Sequence, residues 1–183
     1  MYQPKPRKLT MLVDCLTHKA LITLVFTSGV AGCDLKLKVK QPPLKTTPIA
    51  KNMSTEALEL IIFNRVNQYR LSQNLKPVKL HPRITELARE HSRKMAKGEV
   101  PFSHNGFEDR VKAISIALPY QGASENVAYN YGYQDPAQYT ISGWINSPGH
   151  QKNMVGKYNL TGIGVAKNYK GEYYFTQIFV NTP

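Results

Sequence analysis

The stretch Ser142–Met154, SGWINSPGHQKNM, decides how the second half of the chain is arranged. Pro148 cannot continue a helix that contains Trp144, but it suits the first turn of a new helix with Ser147 as its N-cap. The break keeps Trp144 on a packed face of the first helix and places His150 in the first turn of the second. We therefore expect Trp144 to be buried and His150 to face a cleft.

Helical patterns precede this stretch and strand patterns follow it. Ser54 is a good N-cap for a first helix, Pro82 and Gly98 bound a second, and FEDRVKAI indicates a short third. Asp135 caps the helix that contains Trp144, whereas ALPYQGASENVAYNYGYQ before it is interpreted as irregular. At the C-terminus, LTGIGVAKN and EYYFTQIFV are β-rich runs that YKG joins into a hairpin. Helices first and antiparallel strands last indicate an α+β layered domain.

Composition and charge narrow the class of protein. A chain of 183 residues with 42% apolar residues can form one domain with a real core. The net charge of +12 favours anionic partners, which include membrane lipid, anionic cell-wall polymers and nucleic acid. The tyrosines of AYNYGYQ are not interleaved with Arg or Lys as in a nucleic-acid platform, so we expect no nucleic-acid partner.

The N-terminus indicates export. A basic flank and the apolar run Ala20–Val30 are typical of a secretory signal, and the run is too short to span a bilayer comfortably. The ending VAGC resembles the bacterial lipobox, in which the cysteine is acylated after cleavage. The sequence thus predicts a signal peptide over 1–32, a lipidated Cys33 with a basic, proline-containing tether over 33–53, and a domain over 54–183. An ordinary signal peptide followed by a chance cysteine is the alternative.

Three polar residues outside the helical stripes have the chemistry for a site: His104, Glu125 and His150. Two imidazoles and a carboxylate are a plausible zinc set, although no HExxH or CxxC pattern supports it. The structural alternative is that all three cap or bond backbone groups. His91, by contrast, lies on the apolar stripe of the second helix, where a histidine is most often a hydrogen-bonded core residue.

Five blocks together resemble a known family. FSHNGFEDRV, GASENVAYNYG, SGWINSPGHQKNMV, TGIGVAKN and YYFTQIFV are similar, in order, to the SCP domain of the CAP superfamily, which includes cysteine-rich secretory proteins, venom antigens and plant pathogenesis-related proteins. The SPGH segment is typical of the short bacterial branch. The resemblance covers about Ser54 to Val180 and implies an α-β-α sandwich with a central antiparallel sheet flanked by helices.

The resemblance also implies a shallow cleft with two histidines and two acidic residues, sometimes with a divalent metal. By motif, His104 and Glu125 carry over. Ser147 stands at the position of the second acidic residue, and Tyr174 stands at the position of the second histidine. His150, from the SPGH segment, is the candidate to take the place of these missing cleft residues. The predicted cleft is therefore His104, Glu125, His150 and Tyr174, with the first three as candidate ligands of zinc and no catalytic residue identified.

Three functions are compatible with these patterns. The leading hypothesis is a monomeric, non-enzymatic, membrane-tethered extracytoplasmic module, lipid-anchored or secreted, that binds a lipid, peptide or cell-wall ligand in the cleft. The second is a metal-assisted hydrolase of peptide or cell-wall material with Glu125 as general base. The third is a structural or adhesion module.

The lipobox makes a direct prediction. Replacing Cys33 with serine removes the thiol that would be acylated, so Cys33→Ser should move the protein from the membrane fraction to the soluble fraction. Fractionation and the intact mass of the wild-type protein check this. Membrane association that survives the substitution, together with an unprocessed wild-type mass, would contradict it.

Overall fold

The computed structural model describes residues 53–183, which form five helices and a four-stranded sheet. The helices are α1 (Thr55–Ser72), α2 (Pro82–Lys97), α3 (Phe107–Ser115), α4 (Pro136–Ile145) and α5 (Pro148–Met154). The strands are β1 (Lys79–Leu80), β2 (Gly122–Asn130), β3 (Leu160–Lys167) and β4 (Tyr173–Asn181). The predicted signal peptide, Cys33 and the tether up to residue 52 lie outside the described residues.

The sheet has the strand order β1-β3-β4-β2. β4 pairs antiparallel with β3 and with β2, which confirms both the C-terminal hairpin and the antiparallel centre. The two-residue β1 pairs parallel with β3, so the complete sheet is mixed. The α+β class is confirmed, with one short parallel strand added at the edge.

Helices cover both faces of the sheet, as the sandwich prediction requires. Side chains alternate across β4, because successive residues of a strand point to opposite faces. Phe175 and Phe179 join the core made with α1, α4 and α5, whereas Ile178 and Val180 join the core made with α2 and α3. Among residues 53–183, none of the helices has both the length and the apolarity needed to cross a membrane.

The predicted helix starts are largely correct. The Ser54 hydroxyl accepts from the backbone N–H of Ala57 at 3.2 Å, and the Asp135 carboxylate accepts from that of Gln138 at 2.8 Å. Gly98 ends α2 with φ of 72°, a left-handed conformation that favours glycine.

Strand β2 is a correction, because the sequence pattern indicates an irregular segment there. The strand lies at the sheet edge and turns amides inward, so its sequence has no simple apolar alternation. Asn130 is buried and donates to the carbonyl of Pro136 and the hydroxyl of Thr140, at 3.0 and 2.9 Å. These bonds satisfy the amide N–H groups of a side chain that a periodicity argument assigns to solvent, whereas Oδ1 of Asn130 has no hydrogen-bond partner among residues 53–183.

The stretch around Trp144 closes the outer edge of β2. Trp144 is buried, as predicted, and its indole N–H donates to the carbonyl of Val127 at 3.2 Å. The Asn153 amide on α5 donates to the carbonyl of Glu125 at 3.1 Å. Side chains thus occupy edge carbonyls that could otherwise pair with another strand.

Helix α2 packs on β3 at two glycines. A Cβ atom on Gly162 would lie 2.2 Å from backbone atoms of Ile84 and Thr85, and one on Gly164 would lie 2.2 Å from those of Ala88 and Arg89. These distances are far shorter than any van der Waals contact. The glycines therefore set how close α2 lies to the sheet.

This contact generates a stability prediction. Gly164→Ala should cost about 3 kcal/mol or more, at the upper end of overpacking effects, because the clash is with helix backbone rather than a movable side chain. Urea unfolding measures it. Gly143→Ala is the matched control: apart from its chain neighbours and its own helix backbone, no atom lies within 4 Å of its Cβ position, and alanine in a helix should be neutral or stabilising by up to about 1 kcal/mol. Equal stability changes in the two variants would contradict the packing account.

Candidate functional site

Strand β2 and the loop after α2 bring His104 to Glu125. The Nδ1 atom of His104 lies 3.0 Å from Oε1 of Glu125. The Glu125 side chain is 1% exposed and the His104 side chain 52% exposed. A buried carboxylate therefore holds one imidazole nitrogen, and the exposed ring keeps Nε2 toward solvent.

Arg110 on α3 completes this pair and was not predicted as a site residue. Its Nε donates to Oε2 of Glu125 and one terminal nitrogen donates to Oε1, both at 2.8 Å. The other terminal nitrogen donates to the carbonyl of Asn105 at 3.0 Å. Arg110 thus neutralises Glu125 and fixes the loop that carries His104. FSHNGFEDRV does contain this arginine, but a buried carboxylate is what requires a cationic partner, and the burial of Glu125 is not visible in the sequence.

His91 supports the same loop from beneath. Its ring is buried, as predicted for a core histidine, and Nε2 lies 2.9 Å from the carbonyl of Ser103. Burial lowers the pKa of His91, and the positive charge of Arg110 lowers that pKa further. A neutral His91 can therefore donate to the loop carbonyl without adding charge beside Arg110.

His150 lies at the N-terminus of α5, where its ring contacts the residue before the helix. Nδ1 of His150 is 2.9 Å from the hydroxyl of Ser147, which holds the N-cap position without capping a backbone N–H. Burial, followed by the charge of His104, lowers the pKa of His150. Within the described residues, the His150 ring has no hydrogen bond to Glu125 or His104.

Two amides connect the backbone of His150 to the neighbourhood of Glu125. Asn126 donates to the carbonyl of His150 at 3.1 Å, and Asn153 donates to the Asn126 side chain at 2.9 Å. Asn153 also donates to the carbonyl of Glu125. His150 is therefore joined to the site through the buried amide of Asn126 on the sheet edge and the half-buried amide of Asn153 on α5, rather than through its ring.

Tyr174 lies in a row of aromatic rings that leads back to the His104 loop. It faces Tyr129 across the β2–β4 pair with ring centroids 5.2 Å apart, and Tyr129 lies 6.2 Å from Phe102. Phe102 precedes His104 by two residues. We call Phe102, Tyr129 and Tyr174 the aromatic strip; it connects Tyr174 to the rest of the predicted cleft.

These donors do not fit a zinc site. Among residues 53–183, no group of three or more His, Cys, Asp or Glu side chains is placed to hold a metal ion. Both oxygens of Glu125 accept from Arg110, and Nδ1 of His104 faces one of them. A metal ion at this carboxylate would have to displace a guanidinium and would be repelled by it.

Comparison with known proteins gives a family match and several related structures. The family described as "CAP: Cysteine-rich secretory protein family" matches residues 63–179. The curated protein "Uncharacterized membrane protein YlbC" of Bacillus subtilis is 31% identical over 171 residues, which cover 84% of this chain and 46% of that protein. The chain spans about half the length of the curated relatives it matches.

Two solved bacterial structures are similar. An extracellular protein containing an SCP domain from Bacillus anthracis is 27% identical with a TM-score of 0.55, over 70% of this chain and 41% of that chain. An outer surface protein from Borrelia burgdorferi has a TM-score of 0.61 at 15% identity, over 74% of this chain and all of that chain. The second likeness concerns the fold alone.

The ion pair at Glu125 generates a prediction. Arg110→Met should destabilise the protein by about 3 kcal/mol, because it leaves a buried carboxylate without its cation. Adding Glu125→Gln to that variant should recover part of the loss, since the unpaired charge is then gone. Urea unfolding of the single and double variants measures the coupling.

The control is Arg83→Met, because Arg83 pairs with Glu86 on the surface of α2. That exposed pair should contribute less than about 1 kcal/mol. An Arg110 variant no less stable than the Arg83 variant would contradict a structural role for the Glu125 pair.

Proposed function

The chain belongs to the cysteine-rich secretory protein (CAP) family, and on that premise we propose that it is a non-enzymatic binding module. It acts outside the cytoplasmic membrane, to which lipid on Cys33 anchors it. Its ligand surface runs from His104 along the aromatic strip. Its partners are the membrane, through the anchor, and a component of the cell envelope, and it works as a monomer without nucleic acid.

The state of Glu125 is the observation that carries this proposal. A general base needs a free lone pair within reach of a substrate proton. The Glu125 side chain is buried, and its oxygens accept from Arg110 and face His104. This carboxylate therefore holds Arg110 and the His104 loop in place rather than removing a proton from a substrate.

The second polar pair does not favour hydrolysis either. Ser147 and His150 have the separation of a nucleophile and a base, at 2.9 Å. However, Ser147 is the N-cap of the helix that holds His150, so the contact follows from local helix geometry. Among residues 53–183, no carboxylate bonds the other nitrogen of His150 to orient the ring, as a triad requires.

The anchor is supported by sequence. The VAGC ending follows an apolar run, and the lysine-rich residues 33–53 suit an anionic membrane surface. A relative whose printed name calls it a membrane protein is consistent with this location.

The test separates binding from turnover. The full chain in detergent is mixed with isolated bacterial cell walls freed of membrane lipid, into which the Cys33 anchor cannot insert, and both its cosedimentation and the release of soluble peptide or sugar are measured. We expect saturable cosedimentation and no release above a protein-free blank. Glu125→Gln, which weakens the pair that holds the His104 loop, should reduce cosedimentation.

The control is Glu108→Gln, which changes an exposed carboxylate on α3 and should bind as wild type. Release of soluble product that Glu125→Gln abolishes would replace the binding module with a hydrolase. Absence of cosedimentation by the wild-type protein would remove the binding proposal altogether.

A further inference from the structure

The aromatic strip exposes ring faces at the surface of the domain. Phe102 is 51% and Tyr129 43% exposed, and Tyr174 is partly buried beside them. Exposed aromatic side chains in mutual contact are a common mark of a binding surface. Tyrosine also orders at low entropic cost, because it has only two side-chain torsions.

The rings do not lie in one plane. Tyr129 is tilted by 55° from Phe102 and by 56° from Tyr174. A flat ligand such as a nucleobase could stack on only one of these faces. A chain of rings that turn relative to one another could contact several.

Hydrogen-bonding groups border the strip on one side. The hydroxyl of Tyr129 donates to Glu172 at 3.0 Å, and that of Tyr174 donates to the same carboxylate at 3.4 Å. The Asn168 amide donates to it as well. Because each hydroxyl donates its hydrogen bond to Glu172, only its oxygen lone pairs remain, and these can accept hydrogen bonds from a ligand. A matching ligand has an apolar face and hydrogen-bond donors around its edge.

The charge at this border is balanced. Hydrogen bonds from Asn168 and Tyr129 lower the pKa of Glu172, and the positive charge of Lys170 lowers that pKa further. The carboxylate is ionised at neutral pH with a lysine beside it. This balance favours neither a strongly cationic nor a strongly anionic ligand.

The strip is also open rather than enclosed, because about half of Phe102 and of Tyr129 is exposed. Two cavities, of about 390 Å³ beside α3 and about 360 Å³ along α2, are lined by other residues. Acyl chains and sterols are bound in apolar enclosures that remove them from water. An open row of rings with a polar border suits a ligand that stays partly hydrated.

A neutral pyranose chain meets all these conditions, since its rings have C–H faces and hydroxyl or amide donors at their edges. We propose that the aromatic strip binds a neutral saccharide chain, with Tyr129 as the central stacking residue and His104 at one end. This inference rests on the proposed binding function and specifies its ligand class. His104 adds an exposed ring nitrogen that can accept from a sugar hydroxyl.

The test uses the full chain in a detergent without a sugar headgroup and oligomers of N-acetylglucosamine as the probe, with binding followed by calorimetry. The wild-type protein should bind the oligomers, and longer oligomers should bind more tightly. Tyr129→Ala should weaken binding by about tenfold or more, as expected for loss of one stacked aromatic ring. Tyr129→Phe keeps the ring and should weaken binding only a few-fold, about the effect of one lost polar contact.

The control variant is Tyr139→Ala. Tyr139 is similarly exposed and stacks on Tyr133 with ring centroids 3.6 Å apart, outside the strip. The Tyr139→Ala protein should bind the oligomers as tightly as the wild-type protein does. Thermal unfolding of each variant verifies that the protein remains folded.

The proposal is overturned if the wild-type protein binds no oligomer at millimolar concentration, or if Tyr129→Ala and Tyr139→Ala bind equally well. Binding of phospholipid vesicles or a choline salt that depends on Tyr129, without oligomer binding, also overturns it. Cosedimentation with lipid-free cell walls distinguishes the two failures. If it persists in Tyr129→Ala, the module binds through another surface, whereas its absence from the wild-type protein removes the binding function itself.

Discussion

The buried carboxylate of Glu125 is the constraint on which the site depends. Removing a carboxylate from water costs several kcal/mol, and partners in good geometry must offset that cost. Arg110 supplies two hydrogen bonds from α3, and His104 supplies a third contact from the loop after α2. One side chain of β2 therefore fixes two neighbouring segments. The exposed face of His104 is held in place because leaving Glu125 without its partners would cost the folded state several kcal/mol.

The outer edge of β2 imposes a second constraint. This constraint explains why Trp144 and His150 lie close together in the sequence. Trp144 and Asn153 occupy carbonyls of β2, one from each of the two helices that Pro148 separates. The break between these helices lets one short stretch cover both positions. His150 is consequently held at the helix start by Ser147 and Asn126. The position of His150 is therefore set by the packing of α5 against the edge of β2 and not by a contact of its ring with Glu125.

Local patterns predicted most of the fold because they report local physics. The N-caps Ser54 and Asp135, the stop at Gly98 and the hairpin of β3 and β4 each follow from a few neighbouring residues, and the five ordered blocks predicted the family. Strand β2 could not be predicted in this way, because its inward amides are satisfied by backbone carbonyls of α4 and α5, which only the packed structure brings against the strand. The parallel pairing of β1 has no local signal either, since it involves only two residues.

The candidate site was predicted less completely. His104 and Glu125 were identified and are in direct contact, but Arg110 was treated as an ordinary helix residue. Its role depends on the burial of Glu125, which only the packed structure reveals. The zinc hypothesis does not fit these donors for the same reason, because a list of ligand types omits the cation already present at the carboxylate. Tyr174 was identified by its motif position alone. The rings of Tyr129 and Phe102 connect it to the His104 loop, and this contact explains why it belongs to the predicted cleft.

The most direct test of the central claim is the NMR signal of the Arg110 Nε–H proton in the ¹⁵N-labelled full chain, held in detergent micelles and titrated with Zn²⁺. If Glu125 is a structural anchor, this proton is bonded to a buried carboxylate. It should then exchange slowly with water and remain unchanged at equimolar zinc. Rapid exchange, or a shift that saturates at one zinc per chain, would show that the carboxylate is free to act as a ligand and would contradict the account.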